Sequence, residues 1–267
     1  MLFVETHSHL NDDAFSADRG EVVGKVFAAG VGKIVEIACA PPEWQQGADL
    51  CAAYPGKIKC AFGAHPEYLK TLTPELLLEL GNFMAGPCAV ALGEVGLDYW
   101  WDIGTKEEQL ALLDSQLPLC ARFSKPAVFH ARNGRQPAQH AYTDLLEDLK
   151  NWDYRPAKRF RGVLHCFSGT WADARAGLDL GLALGVNGTY TYKKNEDLRE
   201  TVKKAGLDNI VLETDCPYLP PQSSRGKRND PSFIPEIAAM VAAHLGVSNA
   251  GIADKTTANA FELFGLE

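Results

Sequence analysis

The sequence predicts an α/β fold, a single (β/α)8 TIM barrel, on three observations. Short β-branched or apolar runs alternate with longer amphipathic stretches along the whole chain, the pattern of parallel strands joined by crossover helices. The strand-like runs number eight. The chain has 267 residues, 46% of them hydrophobic, which suits one large core of the barrel size. One domain over 1–267 is expected, and an open doubly wound sheet is the weaker alternative.

Strands are expected over 2–6, 33–38, 58–63, 88–93, 127–130, 162–165, 182–187 and 210–213. The first is the apolar run that leads into His7, and the others share its short length and β-branched or apolar composition. Between them the longer periodic stretches predict helices over 18–29, 42–53, 74–84, 106–122, 137–149, 171–180 and 196–205, with two more over 234–245 and 250–264. The helix over 106–122 carries the plainest signal. Thr105 followed by Glu108 is a capping-box pattern, and Leu110, Leu113, Leu117 and Ala121 form one apolar stripe, with Pro118 expected to kink it.

The formal charge of −8 argues against a protein held to nucleic acid by bulk basicity, but not against an anionic substrate drawn to cations in a cleft. The opening residues include Glu5, His7 and His9, and no segment approaches about 18 uninterrupted apolar residues. Neither a signal peptide nor a membrane span is therefore expected, and the expected location is cytoplasmic. The seven cysteines are odd in number and never in Cys-x-x-Cys spacing, so they read as reduced core thiols. The segment 151–161, with Arg155, Lys158, Arg159 and Arg161, reads as a solvated basic loop, with contact to a polyanion the lesser alternative.

The chemistry starts from Phe3-Val4-Glu5-Thr6-His7-Ser8-His9-Leu10. Residues two apart share a face of an extended strand, so His7 and His9 can point at one place, and neutral imidazole is a common ligand for zinc and similar ions. Two histidines alone are more often a surface or satisfied core pair. The partners come from the barrel: its active site lies at the C-terminal ends of the strands. There stand His65 after the third strand, Glu94 ending the fourth, His130 the fifth, His165 the sixth and Asp215 the eighth. Five of the seven histidines terminate strands, whereas His140 and His244 fall inside helical patterns and read as surface or structural.

That joint placement selects a metal site. His7, His9 and Asp215 can hold one divalent ion, His130 and His165 another, and Glu94 can bridge the two; Mg, Mn and Zn all suit such donors. No lysine ends the fourth strand, so the bridge is a glutamate and not a modified lysine. Two ions about 3.5 to 4 Å apart acidify a shared water and clamp a displacement, which is hydrolytic chemistry. Asp215 and Glu94 are the catalytic carboxylates, with Asp215 placed to accept a proton. Cys166 and Cys216, beside the ligands, read as packing residues.

These segments together resemble the TatD family of metal-dependent deoxyribonucleases, within the amidohydrolase-like metal-dependent hydrolases. The resemblance runs through Thr6-His7-Ser8-His9-Leu10, Gly63-Ala64-His65-Pro66, Gly93-Glu94-Val95-Gly96-Leu97-Asp98-Tyr99, His130-Ala131-Arg132, His165-Cys166-Phe167-Ser168-Gly169 and Glu213-Thr214-Asp215-Cys216-Pro217-Tyr218-Leu219, then Arg228-Asn229. It implies a two-metal site on His7, His9, Glu94, His130, His165 and Asp215. It further implies hydrolysis of phosphodiester bonds in DNA, often from the 3′ end, with 3′ ends or single strands as substrate. His65, Arg132 and Arg228 fall in matching segments and are the candidate substrate contacts. Two departures stand out: Glu5 where the family usually has Asp, and Glu67 where many members have a second His after the Pro.

The loop 223–229 is basic and expected to be flexible on the active-site face; Tyr99, Trp100 and Trp101 could stack on an unpaired base or simply roof the mouth. An alternative enzyme reading is hydrolysis of a small amide, lactone or ester, because the same metal pair activates water against carbonyls. Purely structural metals are disfavoured, since structural zinc sites are closed four-ligand cages. No stable protein partner is inferable.

Overall fold

The computed structural model describes residues 2–267. Eight parallel strands run in sequence order around the sheet: β1 (Phe3–Ser8), β2 (Val31–Ala38), β3 (Ile58–Phe62), β4 (Ala89–Asp98), β5 (Ala127–Arg132), β6 (Gly162–Leu164), β7 (Leu182–Val186) and β8 (Ile210–Leu212). A bridge between Ser8 and Cys216 links the first strand to the segment after the last, and this makes the expected (β/α)8 barrel. The helices are α1 (Arg19–Ala28), α2 (Pro41–Ala53), α3 (Pro74–Ala85), α4 (Lys106–Gln116), α5 (Pro118–Phe123), α6 (Ala141–Asp148), α7 (Trp171–Asp179), α8 (Glu196–Ala205), α9 (Ile234–Leu245) and α10 (Asn249–Phe264).

Strand alternation sorts the apolar residues into two layers. Val4, Val35, Ile37, Ala61, Val128, Val163, Ala183 and Val211 fill the barrel, and Leu263, Phe264 and Leu266 join them from the end of the chain. Neighbours such as Ile34, Ala38, Phe62, Phe129, Leu164 and Leu212 face the helices instead. Toward the C-terminal mouth the apolar filling gives way to buried Glu5, His7, Glu36, Glu94, His165 and Glu213.

Several element boundaries differ from expectation. β4 continues through Glu94 to Asp98, and its register with β5 slips between Gly93 and Val95, so Glu94 sits inside the strand and does not end it. His130 is likewise inside β5, whereas His165 and Asp215 stand just beyond β6 and β8. Pro118 breaks the expected long helix outright: α4 stops at Gln116 and α5 begins at Pro118. The break rotates Ala121 out to solvent, and the buried face of α4 is Gln109, Leu112, Leu113 and Gln116. The capping box forms as expected. α6 starts at Ala141, with His140 exposed at its N-cap rather than inside it.

No single helix among the described residues is long and apolar enough to cross a membrane. α9 and α10 pass that test only as a pair bent by 111°, and their apolar residues Ile237, Val241, Ile252 and Leu263 are buried within the protein.

The loop 151–161 is not uniformly solvated. Arg161 is 6% exposed, donates from Nε to the Tyr154 carbonyl (2.7 Å) and from Nη2 to that of Trp152 (2.6 Å), and lies 4.4 Å from the Trp152 ring centre. It precedes β6, at the end of the barrel away from the histidines. Arg155 Nη1 also donates to both carbonyls, so Arg161→Met should lower unfolding free energy by about 1 to 3 kcal/mol, the size of losing charge-assisted hydrogen bonds while the acceptors keep a partner. Urea denaturation checks this, and an unchanged midpoint would show the clip to be dispensable.

Candidate active site

The seam between β1 and β8 assembles half of the site. The His9 amide donates to the Cys216 carbonyl (3.0 Å), the Asp215 amide to that of His7 (2.9 Å), and the Thr6 hydroxyl to that of Leu212 (3.0 Å). Glu5, fully buried, stitches both sides: its Oε1 accepts from the amides of His7 (2.8 Å) and Thr214 (3.0 Å). Its departure from the family's usual Asp thus falls at a strand-anchoring position. Asp215 adopts φ 58°, a left-handed conformation that Asp tolerates better than most side chains, and so turns its carboxylate toward the histidines.

Around Glu94 the donors separate into two groups. On the Oε2 side, His7 Nε2 lies 3.2 Å from the carboxylate and 3.2 Å from His9 Nε2, and His9 Nε2 lies 3.5 Å from Asp215 Oδ1. On the Oε1 side, His130 Nδ1 and His165 Nε2 each approach to 2.7 Å and lie 3.3 Å from one another. The His7 and His165 rings stack between the groups, 3.8 Å apart at centroids. His65 Nε2 stands 3.8 Å from Oε1, and its Nδ1 accepts from the Glu67 amide (3.2 Å), which leaves the proton on Nε2.

Electrostatics follow from burial. Burial opposes ionisation of Glu94, but His165, His130 and His7 outweigh it and hold the carboxyl well below its usual range. Asp215 is lowered in the same way, burial being outweighed by His9, His165 and His7. Burial also works against charge on His9 and His130, yet Asp215 and Glu94 lift the first to about 9, and Asp98 and Glu94 lift the second to about 9. His7 drops to about 4 and His65 to about 3, through burial and the neighbouring His165 and His130 respectively. The carboxylates therefore draw protons onto two imidazoles, which is a demand for positive charge that cations can meet. Donors of His7, His9 and Asp215, and of His7, Glu94 and His165, lie within 4.8 Å of one another, and this nitrogen and oxygen set without thiolate fits Mg, Mn or Zn.

Other expected residues are placed less centrally. Arg132 is exposed and lines the cleft, whereas Arg228 lies outside it: its guanidinium grips Asp18 through two bonds (2.9 and 2.6 Å) and the Ala14 carbonyl (2.5 Å). The loop 223–229 is tied down, with buried Asn229 donating to the carbonyls of Thr214 (2.9 Å) and Tyr218 (2.6 Å). The Tyr99 hydroxyl donates to Asp144 (3.0 Å), so of the three aromatics Trp100 and Trp101 face solvent. His244 reaches only toward Glu200 (3.6 Å). Burial pushes the thiols of Cys166 and Cys216 well above the ordinary range, in keeping with packing.

Sequence reasoning missed the residues that hold these donors in place. Asp98 Oδ2 lies 2.9 Å from His130 Nε2 and fixes which nitrogen faces Glu94, while its Oδ1 accepts from the amides of Trp100 (2.8 Å) and Trp101 (3.2 Å). Gln109 holds Asp98 by both its amide and carbonyl (2.8 Å each), and Gln116 holds Ala64, next to His65, in the same way (2.8 and 3.1 Å). Glu213 accepts from the Cys166 amide (2.5 Å) beneath His165. Glu36 accepts from the Ser8 hydroxyl (2.9 Å) and the Asn11 amide (2.7 Å). The available signal was two glutamines seven residues apart on an otherwise apolar helix face.

Filling the cluster with cations must displace the protons of His9 and His130, because both imidazoles are raised to about 9. At pH 7, calorimetric titration with Mn or Zn in buffers of different ionisation enthalpy should report release of about two protons. Apparent affinity should rise with pH through about 9 and level off only above it, once both rings are neutral without metal. Binding without proton release would contradict this electrostatic account.

Comparison with known proteins gives the family. The family model for TatD related DNase matches residues 4–265. A Bacillus subtilis (strain 168) protein described as the uncharacterized metal-dependent hydrolase YabD is 33% identical over 266 residues, covering 100% of both chains. The 3′-5′ ssDNA/RNA exonuclease TatD of Klebsiella pneumoniae (strain 342) is 32% identical over 97% of this chain and 96% of its own. The crystal structure of YjjV, a TatD homolog from Escherichia coli K12, superposes with a TM-score of 0.89 at 30% identity, covering 99% of this chain and 98% of that one. This barrel, with histidines and carboxylates gathered at its mouth, belongs to the TatD-related DNase family.

Proposed function

We propose that the protein is a two-metal phosphodiesterase that removes nucleotides from the 3′ ends of single-stranded DNA. His7, His9 and Asp215 would hold one divalent ion (Mg, Mn or Zn) and His130 and His165 the other, with Glu94 offering one carboxylate oxygen to each group. The observation that supports this most is the division of Glu94, with Oε2 toward His7 and Oε1 shared by His130 and His165. When bound, such a pair supplies Lewis acidity toward a phosphoryl oxygen and an acidified water.

The chain's own groups do the remaining work. Asp215 stays ionised, offers Oδ1 on the His9 side, and has a second oxygen to take a proton from the attacking water. His65, neutral with its proton on Nε2, can donate to a phosphate oxygen beside Glu94. Arg132 meets the substrate backbone from the rim, and Arg228, engaged by Asp18, orders the adjoining loop. A cleft of about 910 Å³ flanked by exposed indoles favours an oligonucleotide over the alternative of a small amide, lactone or ester. A cytoplasmic location belongs to the same reading, supported by seven cysteines without disulfide spacing.

Asp215→Asn preserves shape but cannot accept a proton, so kcat on DNA should fall by about two to four powers of ten with DNA affinity retained. Glu94→Gln should fall as far and also lose bound metal, since an amide has a single weak ligand oxygen and no charge. Rates, affinity and metal content measured together decide the matter. Near-normal turnover with both metals present in either variant would remove that carboxylate from its role, and turnover by protein verified as metal-free would overturn the mechanism.

A further inference from the structure

The mouth of the cleft is unevenly charged. On the arc following β1, β2 and β3 it is lined by Asp12, Asp13, Glu43 and Glu67, and Arg132 is the only lysine or arginine lining it among the described residues. Two of those acids are fixed in place: Asp12 accepts from the Ala14 amide (2.7 Å) and the Tyr218 hydroxyl (3.1 Å), and Glu43 from the Cys39 amide (2.9 Å). Glu67 stands half-exposed with Oε2 3.7 Å from His65 Nδ1.

The arc following β4 and β5 has the opposite character. Arg132 and Arg135 bring their guanidinium carbons to 5.0 and 4.7 Å from the Trp100 ring centre, and Arg132 lies 5.6 Å from that of Trp101. Neither arginine has a carboxylate within 4.0 Å among the described residues, whereas nearby Lys106 is neutralised by Asp144 (2.6 Å). Trp100 and Trp101 are 37% and 50% exposed, large apolar surface left uncovered at the edge of the site. The ledge is nevertheless well anchored: Asp98 accepts from both tryptophan amides, and the Tyr99 amide donates to the Arg132 carbonyl (2.9 Å), joining the two loops. Partly exposed indoles edged by guanidiniums that have no carboxylate partner offer stacking surface to bases and charge to their phosphates.

We propose that single-stranded DNA reaches the histidine and carboxylate cluster along this ledge alone, with bases on Trp100 and Trp101 and phosphates against Arg132 and Arg135. The acidic arc receives the uncharged end of the strand and repels any phosphate beyond the scissile one. The inference rests on the nuclease reading above and makes the cleft a reader of ends. A 3′-terminal nucleoside ending in a hydroxyl fits, while a 3′-phosphate or a continuing strand places negative charge among four carboxylates.

The test is steady-state cleavage of a dinucleotide and a long oligodeoxythymidine ending in 3′-hydroxyl or 3′-phosphate, and of a circular single strand. Trp100→Ala and Trp101→Ala should each raise KM for the long strand about tenfold, the size of one lost stacking contact, and much less for the dinucleotide. Trp101→Phe, which keeps a ring, should recover most of the loss. Wild-type protein should cut 3′-phosphate ends and circles at least about tenfold more slowly than 3′-hydroxyl ends, and Glu43→Gln combined with Glu67→Gln should narrow that ratio. Unchanged KM in the tryptophan variants, or wild-type indifference to the strand end, would overturn the proposal. Wild-type protein that hydrolyses bis(p-nitrophenyl) phosphate but no DNA of any length would instead overturn the nuclease reading, and this proposal with it.

Discussion

A carboxylate in the middle of a barrel mouth is the constraint on which the rest depends. Glu94 is 4% exposed, and a buried carboxylate stays ionised only where positive charge is built around it. The chain supplies that from both sides, with His7 on one oxygen and His130 and His165 on the other. Asp215 and Glu94 raise His9 to about 9, and Asp98 and Glu94 raise His130 as far, so the carboxylates call for more positive charge than neutral imidazoles supply. The cluster thus gathers histidine and carboxylate donors of the kind that divalent metal ions bind.

Everything beneath that cluster serves to keep the donors aimed. The seam that closes the barrel is also the seam that unites His7, His9 and Asp215, so the fold cannot close without assembling half the site. Glu5 holds both edges of the seam, Asp98 sets the tautomer of His130, and Gln109 and Gln116 carry the positions of Asp98 and Ala64 back to the rigid helix α4. Preorganisation of this kind limits the reorganisation needed when substrate arrives.

The barrel was legible because eight apolar runs alternate with amphipathic stretches, a pattern only a few topologies satisfy. Five of the seven histidines were legible as a group because each falls near a strand end, where barrel chemistry gathers. Glu94 is expected at the end of its strand, but pairing with β5 carries the strand on to Asp98. Pro118 read as a kink, yet its missing amide let the chain break into two helices, which moved the apolar stripe. The clamps of Gln109 and Gln116 were invisible, since a buried glutamine facing a backbone amide and carbonyl looks, in one dimension, like an ordinary polar position. Arg161 looked like part of a solvated basic loop for the same reason: its partners are carbonyls, which leave no mark in the residue pattern.

The central claim, that Glu94 is the shared wall between two cations, is tested most directly by diffraction from metal-loaded crystals at the absorption edge of Mn or Zn. The account predicts two anomalous peaks on either side of the Glu94 carboxylate, one near His7, His9 and Asp215 and the other near His130 and His165. A single peak, or two peaks that leave Glu94 unligated, would contradict it.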